Sequence, residues 1–165
     1  MRICFVCLGN ICRSPAAEAV FIALAADRTD VPTLVVESAG TGPWHVGDPP
    51  HDSTVLEAQR RGIALQHVGQ QFGPADFDRF DLLVAMDHGN VEDLEEMAPD
   101  TEARSRIVRL GSFAPGSDGS RWAGVEGLDV PDPYGRPQEA FATMFDQVEM
   151  ACRGLLEWIA DGNAA

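Results

Sequence analysis

An apolar run, a tight polar loop and an alanine-rich segment follow one another between Met1 and Ala25, and the junction reads Cys7-Leu8-Gly9-Asn10-Ile11-Cys12-Arg13-Ser14-Pro15. Ile3, Phe5 and Val6 mark a short buried strand. Gly9 and Asn10 tolerate backbone angles that most residues avoid, so the chain can curl as the strand ends. Pro15 suits the first turn of a helix, Glu18 lies in the opening turn, and helix formers dominate from Ala16 to Ala25. Strand, curled loop and helix start turn backbone N–H groups inward, and the helix dipole adds partial positive charge. Such a loop is a cradle for an anion.

The side chains on this loop suit attack on a phosphoryl group. Cys7 would lie at the floor of the cradle, where the positive surroundings that hold phosphate also favour a thiolate. Arg13 can grip two phosphoryl oxygens with its planar fork, and it gains most as charge spreads in the transition state. Ser14 can donate a hydrogen bond to the cysteine sulfur. A departing alkoxide or phenoxide needs a proton, and the candidate acid is Asp132 in Val130-Pro131-Asp132-Pro133-Tyr134-Gly135. Flanking prolines restrict the backbone there, and Gly135 allows a turn. A surface turn is the plain alternative for that segment.

The rest of the chain supplies a scaffold. Strands are expected at Arg2–Val6, Thr33–Ser38, Asp81–Ala85 and Arg106–Leu110, and helices at Pro15–Ala26, Asp52–Arg61, Gly89–Met97 and Gln138–Ala160. In the last helix Phe141, Met144, Phe145, Val148, Cys152, Leu155, Leu156 and Ile159 recur at three- and four-residue spacings, which marks a core face. Alternating strands and helices imply an α/β fold with a parallel sheet covered on both faces and a site at the carboxyl ends of the strands. Apart from the Arg106–Leu110 strand, Pro99–Gly127 is read mostly as surface loop. At 165 residues and 45% hydrophobic, the chain suits one domain spanning residues 1–165.

Charge and cysteine usage narrow the function classes. The formal charge of −14 disfavours nucleic acid and anionic membrane as partners. All twelve basic residues are arginine, which excludes Schiff-base chemistry and a lysine-bearing nucleotide loop. No signal-peptide pattern and no apolar stretch long enough to span a bilayer are legible, and unpaired cysteines at the site point to a reducing cytoplasm. No Cys/His set with zinc-ligand spacing stands out, so neither metal nor cofactor is expected. Cys4 and Cys152 read as small buried residues.

The Cys-x-Gly-Asn-x-Cys-Arg-Ser-Pro stretch and the late Asp132-Pro133-Tyr134 element together resemble the low-molecular-weight protein tyrosine phosphatase family. Ser38-Ala39-Gly40-Thr41, Gly47-Asp48-Pro49-Pro50, Gly62-Ile63 with His67, and Met86-Asp87 carry the likeness from Met1 to about Ala160. The resemblance implies a single three-layer, flavodoxin-like domain with a four-stranded parallel sheet. It implies a phosphatase that works through a phosphocysteine on Cys7, with Arg13 holding the phosphoryl group and Asp132 as acid and then base. Leu8, Gly9, Asn10, Ile11, Cys12 and Ser14 would line the substrate site, and Asn10, Ser14, Ser38 and His67 would brace the loop. The expected substrate is a phosphotyrosine-containing protein or peptide, phosphate and related oxyanions would inhibit, and a monomer is the expected state.

Tyr134, the sole tyrosine, is read as one wall of the cleft. Trp44, on a glycine- and proline-flanked loop, is either the opposite wall or a residue packed on the helix starting near Asp52. Ile11 at the rim favours a flat aromatic leaving group, whereas related protein-arginine phosphatases carry threonine at that position. Relatives often have two adjacent aromatics after the Asp-Pro pair and a basic residue after the histidine; here Gly135 and Gly69-Gln70-Gln71 stand there. In the family the cysteines matching Cys7 and Cys12 form a reversible disulfide, which gives Cys12 a redox role. A thiol-linked arsenate reductase is a rival reading, but it needs relay thiols, and the sequence has none between Arg13 and Ala151.

Overall fold

The structure is a computed structural model that describes residues 1–115 and 128–163. In chain order the regular elements are β1 (Arg2–Cys7), α1 (Arg13–Ala25), β2 (Val35–Gly40), α2 (Asp52–Arg60), β3 (Leu82–Ala85), α3 (His88–Met97), α4 (Thr101–Ser105), β4 (Ile107–Arg109) and α5 (Gln138–Ala160). The strands form one parallel sheet in the order β2-β1-β3-β4. Helices cover both faces, so the layers are helix, sheet, helix.

Strand β1 shows why the sheet lies inside. Ile3, Phe5 and Cys7 belong to the core shared with α1 and α5, whereas Cys4 and Val6 belong to the core beneath α3 and α4. Strand β3 divides in the same way, Leu82 and Val84 to one side and Leu83 and Ala85 to the other. Alternate residues therefore meet opposite layers, and both must be apolar. The α5 stripe is buried as its spacing predicts, from Phe141 to Ile159. Phe5 meets Phe21 of α1 with ring centroids 5.5 Å apart. The reading that no zinc-ligand spacing is present needs correction, because Cys4 and Cys7 are spaced Cys-x-x-Cys, yet three residues along a strand places them on opposite faces of the sheet.

Three expectations needed adjustment. Strand β2 runs from Val35 to Gly40, two residues later than Thr33–Ser38, because its register with β1 pairs Arg2 with Val35 and Cys7 with Gly40. Part of the Pro99–Gly127 span is helical rather than loop: α4 starts where the Asp100 carboxylate accepts from Ala103 N at 2.8 Å. A 3-10 turn, Leu110–Phe113, follows β4. Residues 116–127 of that span lie outside the described residues.

The register also positions the site. Strand order reverses between β1 and β3, which leaves a crevice at the carboxyl ends of those strands. The loop Cys7–Cys12 leaves β1 there, and Asp87 leaves β3 beside it, because Met86 N donates to Val6 O at 2.9 Å. Val130 N then donates to Met86 O at 2.8 Å, which draws the Pro131–Tyr134 segment to the same end.

Candidate active site

Backbone geometry shapes the loop. Asn10 has φ of 55°, in the left-handed region where asparagine is tolerated better than most residues. Its side chain meets all of its hydrogen-bonding capacity there. Nδ2 donates to Ser14 Oγ at 2.9 Å and to Ser38 Oγ at 3.0 Å. Oδ1 accepts from Gln70 N at 2.8 Å and from His67 Nε2 at 2.9 Å. Two donors and two lone pairs are filled, which fixes the amide orientation. Since Nε2 of His67 faces only the oxygens of Asn10, that nitrogen carries the proton, and Nδ1 lies 3.5 Å from Glu18 Oε2.

The remaining bonds run in one direction. Ser38 accepts from Asn10 and donates to Glu18 Oε2 at 2.6 Å. Ser14 accepts from Asn10 and stands 3.0 Å from Cys7 Sγ, with its own O–H available to the sulfur. Asn10 N donates to the same sulfur at 3.2 Å. Cys7 thus receives the Asn10 amide and lies within hydrogen-bond distance of the Ser14 hydroxyl, which also reaches Ala39 O at 3.4 Å, at the N-terminal end of α1, whose first N–H groups have no intrahelical partner.

Close backbone approach holds the loop down. Thr41 N donates to Cys7 O and Gly42 N to Leu8 O, each at 2.9 Å. A Cβ on Gly40 would lie 2.8 Å from Leu8 O, so only glycine fits beneath the loop. Gly69 has a similar place under the Trp44–Asp48 loop: an added Cβ would lie 2.1 Å from His45 O.

Arg13 opens α1 and is only 3% exposed. Its Nη1 donates to Asp87 Oδ2 and, at 3.2 Å, to Val130 O, while Nη2 donates to Asp132 Oδ2 at 3.0 Å. Burial works against the guanidinium charge, but Cys7, Asp132 and Asp87 outweigh it and raise its affinity for the proton above the ordinary arginine range. Asp87 also accepts from Asn90 N at 2.7 Å as the N-cap of α3, so the carboxylate that orients Arg13 is itself fixed by a helix. Asp132 Oδ1 accepts from Tyr134 N at 3.1 Å.

These groups line a cleft of about 220 Å³ bounded by residues Cys7 to Arg13, Trp44, His45, Asp132 and Tyr134. Ile11 and Cys12 are buried in its wall, and Leu8 is exposed at the mouth. Burial pushes the Cys12 thiol up to about 12. Trp44 lines the cleft and is 68% exposed, so it is not packed on α2. Tyr134, 59% exposed, is propped by His51, whose ring meets it edge-on with centroids 5.6 Å apart and stacks on Phe141. Ser38 and His67 lie beneath the loop, outside the cleft.

Sequence reading missed four participants. Glu18 looked like an ordinary acidic residue of a first helical turn, yet it closes the network under the loop. Asp87 reaches Arg13 across a separation of 74 residues. Gln70, where a basic residue is common, braces Asn10 through its backbone and Ser38 O through its side chain at 2.8 Å. His45 lines the cleft with Nδ1 2.9 Å from Asp48 Oδ2. Only Asp87 left a legible trace, through the Met86-Asp87 pair.

Comparison with known proteins bears on this geometry. The model of the family described as low molecular weight phosphotyrosine protein phosphatase matches residues 2–164. A low molecular weight protein-tyrosine-phosphatase of Streptomyces coelicolor is 39% identical over 99% of this chain and 98% of its own. The crystal structure of a protein tyrosine phosphatase from Entamoeba histolytica, with Hepes in its active site, superposes with a TM-score of 0.89 at 30% identity, covering 99% of each chain. The Drosophila arginine phosphatase structure superposes at 0.83 with 30% identity over 95% of this chain and 96% of its own. With a cysteine-bearing loop lining a cleft at the carboxyl end of β1 and a family match over nearly its full length, this chain belongs to the low molecular weight protein-tyrosine-phosphatase family.

Proposed function

We propose that the cleft hydrolyses phosphotyrosine through a phosphocysteine on Cys7, with Arg13 binding the phosphoryl group and Asp132 moving the proton. The observation that carries this reading is that one buried guanidinium touches Asp132 in a cleft whose floor is Cys7. Without substrate, Asp132 occupies one face of that guanidinium. An arriving phosphate ester takes its place with two oxygens, and the displaced carboxyl comes to stand beside the ester oxygen.

Cys7 Sγ then attacks phosphorus opposite the ester oxygen. Asp132, which takes up a proton from solvent on leaving Arg13, gives it to the departing phenoxide as the P–O bond to the aryl group breaks and S–P forms. Arg13 and the loop amides hold the equatorial oxygens, where charge spreads in the transition state. In the second step Asp132 takes a proton from water as its oxygen attacks phosphorus. The Cys7 sulfur leaves as thiolate, met by the Ser14 hydroxyl and Asn10 N–H. Asn10, Ser38, His67 and Glu18 keep the loop in shape, and Asp87 aims Arg13.

Trp44 and Tyr134 offer two aromatic walls to a phenyl ring, and Ile11 narrows the rim between them. Phosphoarginine is the second reading, favoured by the likeness to the Drosophila arginine phosphatase. Competition between phosphotyrosine and phosphoarginine peptides for the wild-type enzyme separates the two. Rapidly quenched turnover of p-nitrophenyl phosphate followed by mass spectrometry tests the mechanism itself. Phosphorus on Cys7 is the expected result, and none on that residue overturns the reading.

Cys12 fits a protective redox role. Peroxide oxidises the Cys7 thiolate to a sulfenic acid; the Cys12 sulfur then attacks it, forming a disulfide and releasing water. Burial pushes the Cys12 thiol up to about 12, which works against the thiolate form that this attack uses.

A further inference from the structure

Behind the Tyr134 wall the chain turns sharply. Arg136 N donates to Pro133 O at 2.9 Å, and Gly135 has φ of 73°, in the region that favours glycine. This hydrogen-bonded turn fixes where Arg136 stands relative to the aromatic wall.

Arg136 is the informative member. It is exposed, and its guanidinium has no hydrogen bond or ion pair among the described residues. Every other described arginine has an acceptor within reach: Arg104 and Arg106 meet backbone carbonyls, and the rest meet carboxylates. In a chain with 26 acidic against 12 basic residues, a guanidinium without a carboxylate is the exception. Its place also matters. Arg136 borders a cavity of about 300 Å³ that adjoins the cleft and shares only Asp132 with it. Exposed Pro131 and Thr143 and half-buried Ala140 give that cavity its open walls. A free cation and a short apolar wall thus lie beside the point where a phosphate ester would react.

We propose that this groove is a substrate subsite that takes a glutamate of a phosphotyrosine peptide, within about three residues of the phosphotyrosine. The glutamate carboxylate pairs with Arg136, and its methylene stem lies on Pro131 and Ala140. The groove meets the cleft at Asp132 alone, so the peptide enters it on one side of the phosphotyrosine only. Neither contact uses the Asp132 carboxylate, so its departure from Arg13 when the ester arrives leaves the subsite in place. The subsite rests on the phosphotyrosine reading of the cleft. Being solvent-exposed, the ion pair is modest and screened by salt, and it acts on peptide binding rather than on the chemical step.

The test measures kcat and KM of the full-length protein for glycine-rich phosphotyrosine peptides. Each carries one glutamate, placed in turn at each of the three positions on either side, with glutamine there as the reference. Expected is a gain of about three- to fivefold in kcat/KM, carried by KM, at one or two adjacent positions on a single side. The gain should fade as salt rises from about 0.05 M to about 0.5 M. Arg136→Gln should remove it while p-nitrophenyl phosphate turnover stays within about twofold of wild type. Arg136→Glu should turn it into a loss, and Thr143→Glu should remove it by setting a competing carboxylate in the groove. Arg60→Gln deletes the same charge from α2, which does not border the cavity, and should keep the gain. A gain retained by Arg136→Gln or Thr143→Glu, spread equally over both sides, or lost equally in Arg60→Gln overturns the subsite. Peptide hydrolysis indifferent to the glutamate overturns it too and leaves the phosphotyrosine reading standing. No hydrolysis of any peptide while p-nitrophenyl phosphate is cleaved overturns both.

Discussion

The floor of the cleft and its rim are built by opposite means. At the floor, Cys7, Asn10, Arg13 and Ser14 are buried, and hydrogen bonds fix each of them to at least one other residue. At the rim, Trp44 and Tyr134 stand mostly in solvent, Tyr134 held by ring contacts and Trp44 with its ring lying against Gly42. Under the proposed reaction the floor must place donors within fractions of an ångström of a changing phosphoryl group, and a saturated network does that. The rim has only to offer area to a ring or peptide, which exposed aromatics supply with little ordering cost. Chemistry and recognition should therefore respond differently to substitution.

Replacing Cys7 is the largest expected blow. Cys7→Ser should lower kcat for p-nitrophenyl phosphate by at least about 10⁴-fold while phosphate still binds. Residual turnover within tenfold of wild type would end the distinction between floor and rim. Arg13→Ala should cost about 10³-fold in kcat/KM and weaken inhibition by phosphate, because it removes the transition-state fork and leaves Asp87 unpaired. Asp132→Ala should cost on the order of 10²-fold for phenyl phosphate and much less for p-nitrophenyl phosphate. A loss that is equal for both esters would remove Asp132 as the acid.

Smaller effects sharpen the comparison. Asn10→Ala leaves Ser14, Ser38, His67 and the Gln70 amide each short of a partner, so about 2 kcal/mol of stability should be lost in urea unfolding. An unchanged midpoint would mean that the floor does not depend on its network. Trp44→Ala should leave stability within about 0.5 kcal/mol and raise KM for an aryl phosphopeptide only several-fold, with kcat nearly constant. A large fall in kcat instead would place Trp44 in the chemistry.

Legibility in the sequence followed the same division, though not along the same line. Cys7, Arg13 and Ser14 could be read because a strand, a curled loop and a helix start are local patterns that place them without reference to the rest of the chain. The α5 face was legible for a related reason, since an apolar period of three and four fixes which side is buried. Strand β2 was misplaced by two residues because Ala39-Gly40 looks like a turn until Val6 and Cys7 of β1 pair with it. Helix α4 was missed because five polar-rich residues carry too little periodicity to be seen. Glu18, Gln70 and Asp87 gave little or no signal of their roles, since polar residues at helix starts and in loops have many ordinary uses.

What the chain's order of residues determined by itself was the curled loop between β1 and α1 and the placing of Cys7 and Arg13 on it, because those depend on backbone preferences within a few residues. Tertiary structure decided everything that meets them. Arg13 reaches Asp132 across 119 residues only because Val130 bonds to Met86, and Met86 to Val6, at the carboxyl end of a parallel sheet. Register between distant strands arises from packing the two cores together, and no short stretch of sequence contains it.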